Sequence, residues 1–379
     1  MNLKELKQEV NNIVLDGGAK LVGVGRRERL KDAPPSGDME YCLPDAQSCI
    51  IWAYPNPIEA LENYFSKKER MSIKKFQHFA YKSAWDTGLK LKEFIEENSI
   101  YKAFVVIPNG KYRKAGGYTN FMKVDQAYPR FSLRYGGVAA GLGHLGWSGN
   151  LVTKEFGGSI YLGGILTTAP LEPDPMAKEN YCNNCKICWQ SCTTGYFEKD
   201  LEEAQQEVII GGKREVYAKR GTYSKCGNGC AGLSGLSEDG KWTTWTADHI
   251  CLKEYANEEW EANPSLKREL IRKVIVDKNT PKKIRNFNKK ILKSYAGVGT
   301  TENVALRPLE DTNPRCGNCN FICVADLKKR VELLKLLKTS GKVFLDENGR
   351  EYVKKLKKDG EEIIYYPPTE EEFFNTNSN

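Results

Sequence analysis

The chain has 379 residues, 40% of them apolar, with 12 cysteines and a formal net charge of +8. That length suits two or more domains, or one large domain carrying an insertion. It contains no run of 18 apolar residues, so no membrane-spanning helix is predicted, and no membrane partner is expected. Arg26-Arg27 superficially resembles a twin-arginine export signal, but Asp32, Ala33, Pro34 and Pro35 stand where an apolar stretch belongs. Many cysteines without a secretory leader predict a cytoplasmic, reducing setting in which thiols bind metal and do not pair.

Residues 3–15 read as a helix stopped by Gly17-Gly18, followed by a strand at 21–25. The run CIIWAY (49–54) suits a buried strand and is closed by Pro55 and Pro57. Over 71–98, Ile73, Phe76, Phe79, Ala80, Ala84, Leu91, Phe94 and Ile95 recur at helical spacing. This predicts the longest helix of the chain, with Gly88 as its expected breaking point. KAFVVI (102–107) reads as another buried strand, so a mixed α/β layer domain is expected up to about Pro175.

Next comes RFSLRYGGVAA, which looks helical, and then the glycine-rich run AAGLGHLGWSGN (139–150). Gly141-x-Gly143-x-x-Gly146 is formally a dinucleotide fingerprint, but that fingerprint follows a strand and opens a helix, the reverse of this context. The candidate binding residues here are Gly141, Leu142, Gly143, Gly146, Ser148, Gly149 and Asn150. The glycines permit close approach of backbone to a large flat ligand, with Ser148 and Asn150 adding polar contacts at its edge. The segment that follows delivers the chain directly to Cys182.

Two cysteine blocks carry the strongest signal. Cys182, Cys185, Cys188 and Cys192 form C-x2-C-x2-C-x3-C, and Cys316, Cys319 and Cys323 form C-x2-C-x3-C. The first is the spacing by which bacterial ferredoxins wrap a [4Fe–4S] cube, the fourth cysteine crossing to a second cluster. Two cubes need eight thiolates, and Cys251 in DHICLKEY is the candidate eighth. Zinc also uses C-x2-C pairs, but a structural zinc site stops at four ligands. The usual ferredoxin proline is absent after both blocks, where Thr193 and Val324 stand instead.

Between the blocks lies a long stretch, about 196–315, that reads as an insertion. GTYSKCGNGCAG, with Cys226 and Cys230, reads as a tight glycine turn with incidental thiols; a third metal or redox pair is the other reading. From 267 to 293 eleven Lys or Arg face two acids, Glu269 and Asp277. Such a stripe suits nucleic acid or an acidic electron carrier, or is simply a solvated helical face. After Cys323, VADLKKRVELLKLLK reads as an amphipathic helix. KVFL and REYV then form a hairpin turning at Asn348-Gly349, and the tail TEEEFFNTNSN is expected to fray.

The run AGLGHLGWSGNLVTKEFGGSIYLGGILTTAPLEPDP, the four-cysteine block after it, Cys251 near Tyr255, and the later C-x2-C-x3-C together resemble the shared core of reductive dehalogenases and epoxyqueuosine reductases. The resemblance implies an α/β (α+β) fold. A nitroreductase-like domain over 1–175 would hold a base-off corrinoid (cobalamin), and a ferredoxin-like module over 176–330 would hold two [4Fe–4S] clusters. A helix and hairpin extension would follow over 331–379. The resemblance also implies one cube on Cys182, Cys185, Cys188 and Cys323, another on Cys192, Cys251, Cys316 and Cys319, and the corrinoid against the 141–150 loop. The chain's three histidines agree with it, since none sits in the D-x-H-x-x-G pattern that ligates cobalt from below.

For the proton donor, epoxyqueuosine reductases suggest Asp125 in KVDQAYP, and dehalogenases suggest Tyr118 in GGYTN, helped by Arg130 or Lys123. The plain readings are a helix cap and a core tyrosine. The implied activity is a corrinoid-dependent iron–sulfur reductase cleaving a C–O or C–halogen bond. Its substrate would be a small molecule or tRNA, and its donor a ferredoxin or flavodoxin-type protein. The alternative is an iron–sulfur electron-transfer protein that reactivates a partner corrinoid protein.

Overall fold

The structure is a computed structural model that describes residues 1–108, 129–221, 223–230, 232–263, 303–357 and 359–376, with isolated positions between 265 and 289. The first part runs α1 (Leu3–Asp16), β1 (Leu21–Arg26), β2 (Ser48–Pro55), α2 (Ile58–Phe65), α3 (Met71–Asn98), β3 (Ala103–Val106) and α4 (Leu133–Ala139). It continues with β4 (His144–Leu145), β5 (Leu151–Val152) and β6 (Ile160–Thr167). The expected mixture of helix and strand is present. The main sheet has the order β1-β2-β6-β3, and every neighbouring pair is antiparallel.

Strand β2 shows why this sheet lies between helices. Its side chains alternate between two faces, and both faces are apolar. Ile50, Trp52 and Tyr54 join one core with Leu6, Val10 and Val14 of α1 and Ile73, Ala80 and Leu91 of α3. Cys49, Ile51 and Ala53 join a second core with Val138 and Ala139 of α4. A strand buried on both sides must be continuously apolar, as CIIWAY is. Helix α1 is started by a capping box between Asn2 and Glu5. Helix α4 lies so close on β1 that a Cβ at Gly23 would overlap the Ala140 carbonyl oxygen.

Helix α3 passes Gly88 without a break. Gly88 faces Val105 of β3, where a Cβ would collide, so this glycine serves close packing between helix and strand. The residues just before β6 place it beside the second cysteine block. Gly158 and Ser159 N–H groups both donate to the Cys323 carbonyl, at 2.6 and 3.1 Å. Asn320 Nδ2 donates to the Gly158 carbonyl at 2.6 Å.

The stretch after the first block holds α5 (Ile187–Gln190), a hairpin of β7 (Gln205–Ile210) and β8 (Lys213–Ala218), and α6 (Tyr223–Cys230). The hairpin was not anticipated. Neither was α6, because YSKCGNGC reads as a turn yet is helical. Helix Leu327–Lys338 and the strand pair β9 (Lys342–Leu345) and β10 (Glu351–Leu356) follow the expected pattern. A third strand, β11 (Glu362–Tyr365), extends that sheet.

The tail does not fray over its described part: Glu370–Thr376 is a helix. Thr369 and Glu372 form a reciprocal cap, and Glu370 pairs with Lys74 at 2.6 Å. Among the described residues no helix is long and apolar enough to cross a membrane.

Candidate functional site

The first cysteine block is wound rather than helical at its start. Asn180 fixes its entrance, donating to the Leu145 carbonyl (3.1 Å) and accepting the Cys182 N–H (2.9 Å). Asn184 and Lys186 then adopt left-handed backbone, φ 53° and 56°. These reversals bring Cys182, Cys185 and Cys188 around one chamber, and Cys323 of the second block completes its wall. The chamber is also lined by Gly146, Trp147, Ser148 and Arg330.

Thiols of this chamber resist ionisation. Burial, and then neighbouring Cys323, Cys319, Cys182 and Cys185, push the Cys188 thiol well above its ordinary range. Thiols that hinder one another's ionisation are the ones a bound metal deprotonates and holds. Arg330 adds a fixed positive charge. Its guanidinium lies 3.7 Å from Cys185 Sγ and 3.1 Å from Asn183 Oδ1, and also donates to the Val324 and Ala325 carbonyls.

A second group of thiols lies alongside. Burial, then Cys192 and Cys316, push Cys319 up to about 12, opposed by a hydrogen bond from the Asn150 side chain. Cys192 Sγ is 3.3 Å from Thr194 Oγ1. Cys226 and Cys230 of α6 belong to the same neighbourhood, and Cys230 hydrogen-bonds to Cys316. Cys251 is buried elsewhere on the insertion. Burial raises its thiol, and the charges acting most on it are Glu254 and Glu238.

Among the described residues no three His, Cys, Asp or Glu side chains converge tightly enough for a single metal ion. A tetrahedral zinc site would hold its sulfurs about 3.8 Å apart, given Zn–S bonds of 2.3 Å. A four-iron cube takes one thiolate per corner and spaces them more widely.

The 141–150 loop forms a wall of both thiol groups. Trp147 N–H donates to Cys182 Sγ at 3.3 Å, and Asn150 reaches Cys319. Gly141, at φ +80°, turns the space of its missing Cβ onto the Pro175 carbonyl, and Gly143 turns its own onto Val152. Leu142 packs into the second core. Gly146 and Ser148 line the first chamber. Gly149 has φ +71° and sits against Tyr217 of β8. The crowding that requires these glycines comes from the protein itself.

The unanticipated hairpin locks this loop through Glu215, whose carboxylate accepts the Leu145 N–H at 2.8 Å and meets His144 Nδ1 at 2.6 Å. That hydrogen bond lifts His144 above its ordinary range, against burial. Asp125, Tyr118 and Lys123 lie outside the described residues. The Arg130 guanidinium stands 5.4 Å from the centre of the Phe104 ring.

Fold and thiol geometry together define an α+β protein whose glycine loop separates two sulfur-rich neighbourhoods. No family model matches the chain. It is 27% identical over 164 residues to an epoxyqueuosine reductase of Atelocyanobacterium thalassa, covering 43% of this chain and 47% of that protein. An epoxyqueuosine reductase of Gloeobacter violaceus is 47% identical over 57 residues, 15% of this chain and 17% of that one.

Among solved structures, an epoxyqueuosine reductase with a tRNA-Tyr epoxyqueuosine-modified stem loop matches at TM-score 0.38 and 15% identity, over 89% of this chain and 100% of that one. A reductive dehalogenase described through B12-dependent dehalogenation matches at TM-score 0.39 and 13% identity, over 79% and 37%. These scores are too low to establish a shared fold. The chain matches less than half the length of these curated relatives. The sequence matches bear out the expected superfamily: over part of its length the chain is similar to epoxyqueuosine reductases.

Proposed function

We propose that this protein is an iron–sulfur oxidoreductase of the epoxyqueuosine reductase and dehalogenase kind, holding two [4Fe–4S] clusters in a ferredoxin-like module against a nitroreductase-like domain. The observation that carries the reading is the chamber walled by Cys182, Cys185, Cys188 and Cys323, drawn from two blocks 131 residues apart in their last members, Cys192 and Cys323. That is the cross-over arrangement of two-cluster ferredoxins. Cys192, Cys316 and Cys319 supply three ligands of the second cluster.

The residues around the clusters tune electron flow. Trp147 N–H and the Asn150 amide donate to ligand sulfurs, and Arg330 adds positive charge. Each favours the reduced state. A ferredoxin or flavodoxin-type donor would approach through the open cleft where Cys192 meets Trp189, Lys253 and Lys338. Reductive cleavage consumes two electrons. Removing a halogen takes one proton and releases halide; opening and deoxygenating an epoxide takes two protons and releases water. Asp125 or Tyr118 is the proposed proton donor.

The resemblance supplies a base-off corrinoid as electron acceptor. The described part of the 141–150 loop does not make a seat for it, because its glycines are closed by protein atoms. The substrate class proposed is tRNA, on the basic segment of 267–293 and the epoxyqueuosine reductase matches.

Anaerobically purified protein is expected to contain about eight iron and eight sulfide per chain. About one zinc and no iron would overturn the proposal.

A further inference from the structure

The ligand set implied by the family resemblance puts Cys251 on the second cluster. The structure points to a different thiol. Helix α6 brings Cys226 and Cys230, one turn apart, to the three thiols that need a fourth. Cys230 hydrogen-bonds both to Cys226 and to Cys316, and Cys226 lies within electrostatic reach of Cys192, Cys316 and Cys319. Cys226, Cys230 and Cys316 each retain intermediate exposure.

The helix is held in this place at both ends. Gly229 packs on Thr194, where a Cβ would stand 2.6 Å from Cγ2, and Thr194 itself touches Cys192. Lys225 ties the start of α6 to the Tyr255 carbonyl at 2.6 Å. Beyond the end of α6, the Gly232 carbonyl accepts the Thr246 hydroxyl at 2.6 Å, and Gly232 lies on the side chain of Arg315, the residue before Cys316. A helix rich in glycine has little intrinsic stability, so this packing is what holds it.

Cys251 has the opposite surroundings. The strongest charges on its sulfur are two carboxylates, Glu254 and Glu238. Carboxylates repel a thiolate-ligated cluster, whose net charge is negative. The Lys225 ammonium acts on both Cys192 and Cys251.

We infer that α6 supplies the fourth thiolate of the second cluster, from the Cys226–Cys230 pair, and that Cys251 is a structural thiol. The inference rests on the two-cluster reading above, and one experiment separates the two. Iron, sulfide and the low-temperature EPR spectrum of reduced protein are measured anaerobically for wild type, Cys251→Ser, and the double variant Cys226→Ser, Cys230→Ser.

Wild type lacking iron defeats the two-cluster reading itself. Given about eight iron in wild type, Cys251→Ser is expected to keep all of it, with both cluster signals. The double variant is expected to fall to about four, and its surviving first-cluster signal would show that the chain has folded. Retention of about eight iron by the double variant overturns the inference. So does loss of half the iron in Cys251→Ser, which decides the matter even if the double variant does not fold.

Discussion

Arg330 offers the most direct test of the first chamber. It occupies an apolar stripe of its helix, is 3% exposed, and brings its guanidinium 3.7 Å from Cys185 Sγ. Adding an electron to a cluster there adds negative charge, which the cation stabilises. For a separation of about 6 Å to the added charge and an effective dielectric constant near 20, Coulomb's law gives about 3 kcal/mol. For a one-electron couple that corresponds to about 120 mV. Arg330→Met keeps most of the apolar stem and removes the charge, so the first-cluster potential should fall by about 100 mV. Arg330→Lys keeps the charge and should recover most of that shift, though not the hydrogen bonds to Asn183 and the two carbonyls. The assay is an anaerobic EPR-monitored redox titration of the three proteins. Folding is checked by thermal melting, because a buried guanidinium with several partners also supports structure. A potential unchanged in folded Arg330→Met, or shifted upward, would refute the electrostatic role.

Three further outcomes follow from other parts of the molecule. Burial pushes the Lys67 ammonium down to about 7, with the Ser340 hydroxyl as its hydrogen-bond partner. The unfolded chain keeps that proton up to about pH 10, so wild-type stability should rise with pH from about 7 to 10. Lys67→Met should be the more stable protein at pH 7, by at most about 5 kcal/mol, with the curves converging near pH 10; a variant melting lower at pH 7 would contradict this. Gly143→Ala drives a methyl into the Val152 carbonyl and should cost about 2–3 kcal/mol, seen as a lower thermal midpoint; an unchanged midpoint would show that the loop is not packed as described. Charge reversal at Lys282, Lys283 and Arg285 should weaken tRNA binding and flatten its salt dependence, each lost phosphate contact changing the log–log slope by about 0.9. Unaltered binding would remove the basic segment from the substrate argument.

The fold was legible where local pattern and tertiary packing agree. CIIWAY is apolar at every position because both faces of β2 are covered, and Asn348-Gly349 marks a hairpin because that pair accepts the backbone a tight turn needs. It was illegible where packing overrides propensity. Helix α6 contains two glycines and an asparagine and exists because it is wedged between Thr194 and the Arg315 segment. Two misses had usable signals. Gly211-Gly212 between apolar-ended runs is a hairpin turn, and Thr369-x-x-Glu372 is a capping box.

The cysteines show the same division within the site. Spacing along the chain reveals which thiols are close by covalent necessity, so the two blocks could be read directly. It cannot assign a ligand arriving from a distant segment, and a lone cysteine of the insertion is then chosen by analogy. Arg330, Leu333, Leu334 and Leu337 are the buried positions of one helix, at i, i+3, i+4 and i+7, the apolar stripe of an amphipathic helix. An arginine in such a stripe must satisfy its charge inside the protein, and here it meets carbonyls, an amide and a thiol. The cation on the inward face of this helix is thus held against the chamber. Asn150 gave no pointer in the sequence, because only the fold shows that its amide ends at Cys319.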